Sequence, residues 1–464
     1  MRATITAEKA GVPTVSFVGQ LFVKQANLVA GMFGLEEAPL AVYPGRIPMD
    51  DEDTFREKIT GTVADQIVAG LTRGAPRLKE ADAVPGIRDT VFTGTIDQIA
   101  DHFYANLWTD GLPIVPPTVE RVEAFMSYTD RDPNEAVGVL QPEFRQATIW
   151  SIAVNGVMAG CRPEYMPLLI AIVEAVSEPD YQIVDSVSGS AWESIITVSG
   201  PIVKQLGFNY GMGAQRVGWQ ANTSLGRFLN LHLRNIAGLR PGYTQKGGLG
   251  QTFFVAIAED EDVVREIGWP TLAEEDGIPE GESAVTVQGI FAGSTPMGEY
   301  ELGGSYDPYT YLRPLVEFFG KGVAAYWVHC GVNYVGYWPL VILSQHCARV
   351  LAANGWSKDD IRRYLFEESQ VPARPVLGRA LYVGLTDEEL EQRVRSGAVP
   401  EDFLRSTDPD RLIPAFVRPE WTRIIVTGNP EMYWQRGYVS NHVHGRPTTR
   451  LVRLPDDWEQ RLAE

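Results

Sequence analysis

Two of the chain's six histidines, His442 and His444, stand two residues apart in the stretch SNHVHGRP. Alternate side chains of an extended segment share a face. Both imidazoles would then point one way and could hold one transition metal ion such as Zn, Fe or Cu. Without metal the same pair suits acid–base chemistry, and a polar loop can also carry two histidines that do neither. A second constellation is His346 with Cys347, which follow the apolar run WPLVILS. A helix is predicted to open there, and the free N–H groups of a first helical turn favour anions and lower a thiol's pKa. That suits a catalytic pair; the plain alternative is a cysteine packed as a small hydrophobe. His329 lies inside YWVHCGVNYVGYW (326–338), among aromatic rings that could grip a flat or cationic ligand or could simply be core.

Four arginines, Arg216, Arg227, Arg234 and Arg240, fall in a stretch free of acidic residues. Arg227 and Arg234 are seven apart on a predicted helix and share a face, which offers planar donors to a carboxylate or phosphate; surface salt bridging is the alternative. Three apolar strands end in polar tips: SIITVSGP at Ser199, WPLVILS at Ser344 and TRIIVTGNP at Asn429. Ligands of α/β sheets sit at the carboxyl ends of strands, so Ser199 and Asn429 are expected to line a substrate site, with His329 as a further lining residue. Asp110, in WTDGLP, and Asn155 fit a turn and a helix bridge as well as they fit chemistry.

The elements that must position these residues read as a mixed α/β chain. Residues 1–73 predict a helix (Ala3 to Ala10), a strand (Val12 to Val18), a helix (Val23 to Met32), a strand (Leu40 to Tyr43) and a long helix (Asp50 to Leu71). Two strands are too few for a self-sufficient α/β layer, so this is an incomplete half-domain, expected to pair with a companion subunit or another copy. A linker rich in charge, Pro and Gly (74–92) follows. Then come a helical region (93–180), with Thr95 as a predicted N-cap, and a larger α/β domain (181–464) that carries the candidate site.

Composition narrows the function classes. Forty basic against 59 acidic residues give a net charge of −19, which opposes binding to a phosphate backbone. Nucleic acid is excluded as the main partner. Three unevenly spaced cysteines, Cys161, Cys330 and Cys347, fit a reducing compartment better than a disulfide framework, and no apolar run is long enough to span a membrane. A cytoplasmic protein is expected.

The stretch EKAGVPTVSFVGQLFVKQANLVAGMFGLEEAPLAVYPGRIP resembles the second half of the domain found in UGSC-motif (seleno)proteins, and more distantly the substrate-binding selenoprotein of the glycine reductase complex. WTDGLPIVPPT (108–118), NGVMAGCRPEYMPLLIAIVEAV (155–176), GRFLNLHLRNIAGLRPG (226–242) and HCARVLAANGWSKDDIRRYLFE (346–367) resemble the large domain that accompanies it. Gly248-Leu249-Gly250-Gln251-Thr252 and Ser344-Gln345-His346-Cys347 depart from that pattern, the second keeping the histidine but not an acid before it. The resemblance implies redox or cleavage chemistry at a carbon–heteroatom bond of a small anionic or aromatic molecule. It also implies a reactive thiol or selenol upstream of the GVPTV strand, so a partner chain is expected to supply that group. The alternatives are a metal-dependent hydrolase or lyase built on His442 and His444, and a non-catalytic scaffold subunit.

Overall fold

The computed structural model describes residues 2–32, 34–35, 39–73, 86, 88–187, 192–245, 255–295, 307–320, 338–373, 386–405, 408, 410–440 and 445–463. The chain divides into two compact units, residues 1–91 with 240–246, and residues 92–239 with 247–464. The fold is mixed α/β.

In the first unit β1 (Ser16–Gly19) and β2 (Leu40–Tyr43) pair in parallel. Helix Arg2–Lys9 comes before β1, and helix Val23–Met32 crosses between the strands. After β2 the chain runs through helix Glu52–Lys58, capped by Asp51, a π turn Ile59–Val63 and helix Ala64–Thr72. The predicted order of elements is therefore present, with the second strand at its predicted bounds. Its apolar packing is thin: Ile5, Ala30 and Leu35 form one small cluster, and Ala41, Tyr43 and Val63 another.

The second unit is built on two four-stranded sheets. The first has the order β14 (Thr448–Leu451), β7 (Ala284–Ile290), β5 (Glu193–Ser199), β6 (Ile257–Ala258); the second has β12 (Arg423–Val426), β9 (Leu340–Leu343), β13 (Gln435–Val439), β8 (Ala292–Gly293). Short pairs β3 (Ala136–Leu140) with β4 (Arg145–Thr148), and β10 (Gln370–Pro372) with β11 (Leu412–Pro414), stand apart, the former inside the region expected to be helical.

Alternation along the strands dictates the layers. Ile196, Val198, Val285 and Val287 pack on the helices Ile149–Ala159, Met166–Ser177 and Gln220–His232. Val341, Leu343, Ile424, Val426 and Val439 pack on the helices Pro308–Gly320, Gln345–Ala353 and Lys358–Glu368. The opposite faces meet in a third core of Ile195, Ile257, Leu272, Ile290, Leu340, Ile342, Ile425 and Tyr438. The order is helix, sheet, sheet, helix. Each fully buried Ile or Leu in the inner layer contributes roughly 1.5–3 kcal/mol. The sheets join at two seams: Asp260 N donates to Val426 O at 2.8 Å, and Phe291, where β7 passes into β8, donates to Val439 O at 2.9 Å. Among the described residues no helix is long and apolar enough to cross a membrane.

Candidate functional site

β5 runs parallel to β6 and β9 parallel to β12, and the Asp260–Val426 bond sets the carboxyl ends of β6 and β12 side by side. Four strand ends therefore lie in a row, roughly 15 Å long at about 4.8 Å per strand. They carry Ser199, the Glu259–Asp260 pair, Thr427 with Gly428 and Asn429, and Ser344 with His346. The three polar tips predicted from sequence thus belong to one edge. At that edge β5, β6 and β9 each turn into a helix, where α/β sheets place their ligands.

Ser344 caps the Gln345–Ala353 helix, its Oγ accepting from Cys347 N at 3.3 Å. It also holds the 428–434 loop against that helix: Ser344 N donates to Trp434 O, and Ser344 Oγ donates to Met432 O. Next to it, Thr427 Oγ1 and Gly428 N both donate to Tyr210 O. Gly428 does this at φ 112°, a conformation that favours glycine. The Asn429 side chain closes a local turn, accepting from Glu431 N at 2.9 Å.

His346 is half-buried, with Nε2 3.3 Å from the Tyr311 hydroxyl and the two rings edge to face. Burial first, and the Arg349 guanidinium second, hold its pKa below the usual imidazole value. The ring is therefore neutral at pH 7 and able to accept a proton. Arg349 is itself paired with Glu266, Nη2 to Oε2 at 2.8 Å.

Cys347 points away from this work. It is buried, its Sγ lies 3.8 Å from Gln435 Oε1, and burial pushes the thiol up to about 12. The helix start that predicts an activated thiol is outweighed by desolvation. Cys161 is the same kind of residue, buried, its Sγ 3.4 Å from Ser224 O and its pKa pushed up to about 12. Both are packing thiols. Cys330 lies outside the described residues, as do His329, His442 and His444. Of the aromatic run 326–338 only Trp338 is described, stacked on Trp421 with centroids 4.9 Å apart. Among the described residues no group of three His, Cys, Asp or Glu side chains is placed to hold a metal ion.

The arginines also have other occupations. Arg227 grips Asp110 through two bonds of 2.9 Å, Nε to Oδ2 and Nη2 to Oδ1, and donates to Pro113 O at 2.8 Å. It pins the WTDGLP turn to its helix. That helix ends at His232 and passes into a π turn, Leu233–Ala237, which carries Arg234. Arg234 is half-buried and has a partner within the fold.

Ser199 faces a group that sequence reasoning missed. Its Oγ donates to Glu259 Oε2 at 2.8 Å, and Leu272 N donates to the same oxygen at 2.9 Å. The other oxygen, Oε1, has no hydrogen bond and lies 3.8 Å from Nζ of Lys358, a lysine with only 2% of its side chain exposed. Lys358 Nζ in turn reaches Glu275 Oε2 at 3.4 Å, and Arg362 Nη2 reaches Glu275 Oε1 at 2.7 Å. Beside them Arg423 grips Asp276. Acid and base thus alternate along the seam where β6 meets β12. Burial raises the Glu259 pKa, with Lys358 opposing. The available signal was the apolar run Ala256–Ala258 ending in two adjacent acids. At the opposite end of β5, Glu193 stands on the same face as Ile195 and Ser199, and burial alone raises it to about 7.

No curated protein matches the chain, and no solved structure does. The model of the UGSC family matches residues 1–73, so over that segment the chain is similar to the UGSC family.

Proposed function

We propose that the protein is an enzyme subunit that cleaves a carbon–heteroatom bond of a small anionic or aromatic molecule, with the attacking thiol or selenol supplied by a partner chain. The observation that carries this is His346, held neutral beside Tyr311 at the carboxyl edge of the sheets. A neutral imidazole takes the proton of the incoming thiol, and the sulfur bonds to carbon as the carbon–heteroatom bond breaks. The heteroatom leaves with the bonding pair and receives the proton from His346. The ring ends this step neutral, as it began, and the carbon stays on the attacking sulfur as a thioether.

Two further observations support the partner. Cys161 and Cys347 are protonated packing thiols, so neither is suited to be the nucleophile. The UGSC match covers residues 1–73 and thus ties the chain to a family in which the resemblance implies thiol or selenol chemistry. The anion-binding role expected of Arg227 and Arg234 is not part of this proposal, because Asp110 occupies the Arg227 fork. The metal-dependent reading rests on His442 and His444, outside the described residues.

The test is turnover of a panel of small amines, thioethers and halides with a dithiol as surrogate nucleophile. His346→Gln is expected to lose about 100-fold or more in rate, the scale of one acid–base group, and Tyr311→Phe a smaller factor. Equal turnover by His346→Gln and the parent protein would overturn the reading.

A further inference from the structure

The two edges of the β1–β2 sheet differ. In a parallel pair alternate residues of each strand turn their N–H and C=O groups outward. Ser16 N donates to Pro39 O, which points Ser16 and Val18 toward β2 and leaves Phe17 facing outward; by the same register Val42 faces outward from β2. On the β2 side the outward groups of Val42 are taken. Gln66 Oε1 accepts from Val42 N at 2.7 Å, and Gln66 Nε2 donates to Val42 O at 3.4 Å. On the β1 side no described residue does the same for Phe17.

The open edge is also apolar. Phe17 is 45% exposed although its ring leans on Tyr43, and Val12 and Leu21, which flank β1 in sequence, are 54% and 67% exposed. Proteins blunt an edge strand with charge, proline or a covering element, and β1 has none of these within its span. Charge bears on what can cover it. The chain carries −19, so two copies repel in general, yet Ala10 to Leu35 contain no Asp or Glu and a single Lys24. A second copy can approach at this stretch without meeting acid with acid.

We propose that β1 of one copy pairs antiparallel with β1 of a second copy about a two-fold axis at Phe17, making a continuous four-stranded sheet. At that axis Phe17 N–H of each chain donates to Phe17 C=O of the other, and the two rings lie on one face. Leu21 and Val12 are covered at the margins. The proposal does not depend on the chemistry proposed above and can fail separately from it.

Analytical ultracentrifugation of the full chain at tens of micromolar tests it. A dimer is expected, with Phe17→Asp and Leu21→Asp each shifting it to monomer while circular dichroism stays unchanged. Because a hydrogen-bonded antiparallel pair holds its Cα atoms about 5.5 Å apart, within disulfide reach, Phe17→Cys should give a disulfide-linked dimer on oxidation that the parent chain does not give. A monomeric parent chain, or a dimer that persists in both Asp variants without Phe17→Cys cross-linking, would overturn the proposal. So would a companion polypeptide found to fill the same edge.

Discussion

The two units solve the same problem with different amounts of material. In the larger unit two sheets bury both faces, one against each other and one against helices, and the edges of β6 and β12 are closed by a bond and a ladder of charges. In the smaller unit two parallel strands carry small apolar clusters, with one edge answered by Gln66 and the other apolar and exposed. Parallel strands normally lie covered on both faces within a larger sheet. The larger unit meets that requirement with its own chain, whereas the smaller one leaves the outward edge of β1 uncovered among the described residues.

The largest effect should come from the charge ladder. Lys358→Met leaves Glu259 buried without its counter-charge, which costs about 3–5 kcal/mol, and urea unfolding should show the loss. Adding Glu259→Gln should restore most of it, since the uncompensated charge is then gone. Truncation of the inner layer comes next: Ile342→Ala or Ile425→Ala should cost about 2–5 kcal/mol in the same experiment. By contrast, Leu21→Ala in the smaller unit should stay within about 0.5 kcal/mol in the monomer, because the side chain is exposed there. A large loss at Leu21 would show that the smaller unit is better packed than described.

Glu193 gives a pH-dependent contrast. Its folded pKa, about 7, lies above the ordinary value of 4.5, so the folded state binds more protons than the unfolded chain between those pH values. Stability from this group is therefore greatest below pH 4.5 and falls as pH rises toward 7. Glu193→Gln should equal the parent protein at pH 4 and exceed it at pH 8 by up to about 3 kcal/mol. The Arg227 clamp is expected to show a pH dependence of the opposite sign. Asp110, driven below the ordinary carboxylate range by Arg227 against the cost of burial, contributes stability above its unfolded pKa that is lost as pH falls through its folded one. Asp110→Asn should cost about 1–3 kcal/mol at pH 7 and progressively less as pH falls through the folded pKa of Asp110.

Much of this was legible in the sequence where local rules decide. Thr95 caps its helix with a full capping box, β2 has its predicted bounds, and the strand tips at Ser199, Ser344 and Asn429 fall at one edge because apolar runs ending in polar residues mark strand ends. What depends on contacts distant in sequence was not legible. Arg227 looks like an anion clamp until Asp110, 117 residues away, fills it. Cys347 looks activated at a helix start until its burial is known. Glu259 carries no signal of its own in the sequence, because its partner Lys358 comes 99 positions later, on the helix Lys358–Glu368.

Proton transfer at the strand edge bearing His346 is read from the pH dependence of turnover on a responding substrate, compared among the parent chain, His346→Gln and Asp110→Asn. An ionisation below pH 6.5 is expected in the parent chain, its disappearance together with about 100-fold or more of the rate in His346→Gln, and an unaltered profile in Asp110→Asn. An unchanged rate and profile in His346→Gln would contradict it.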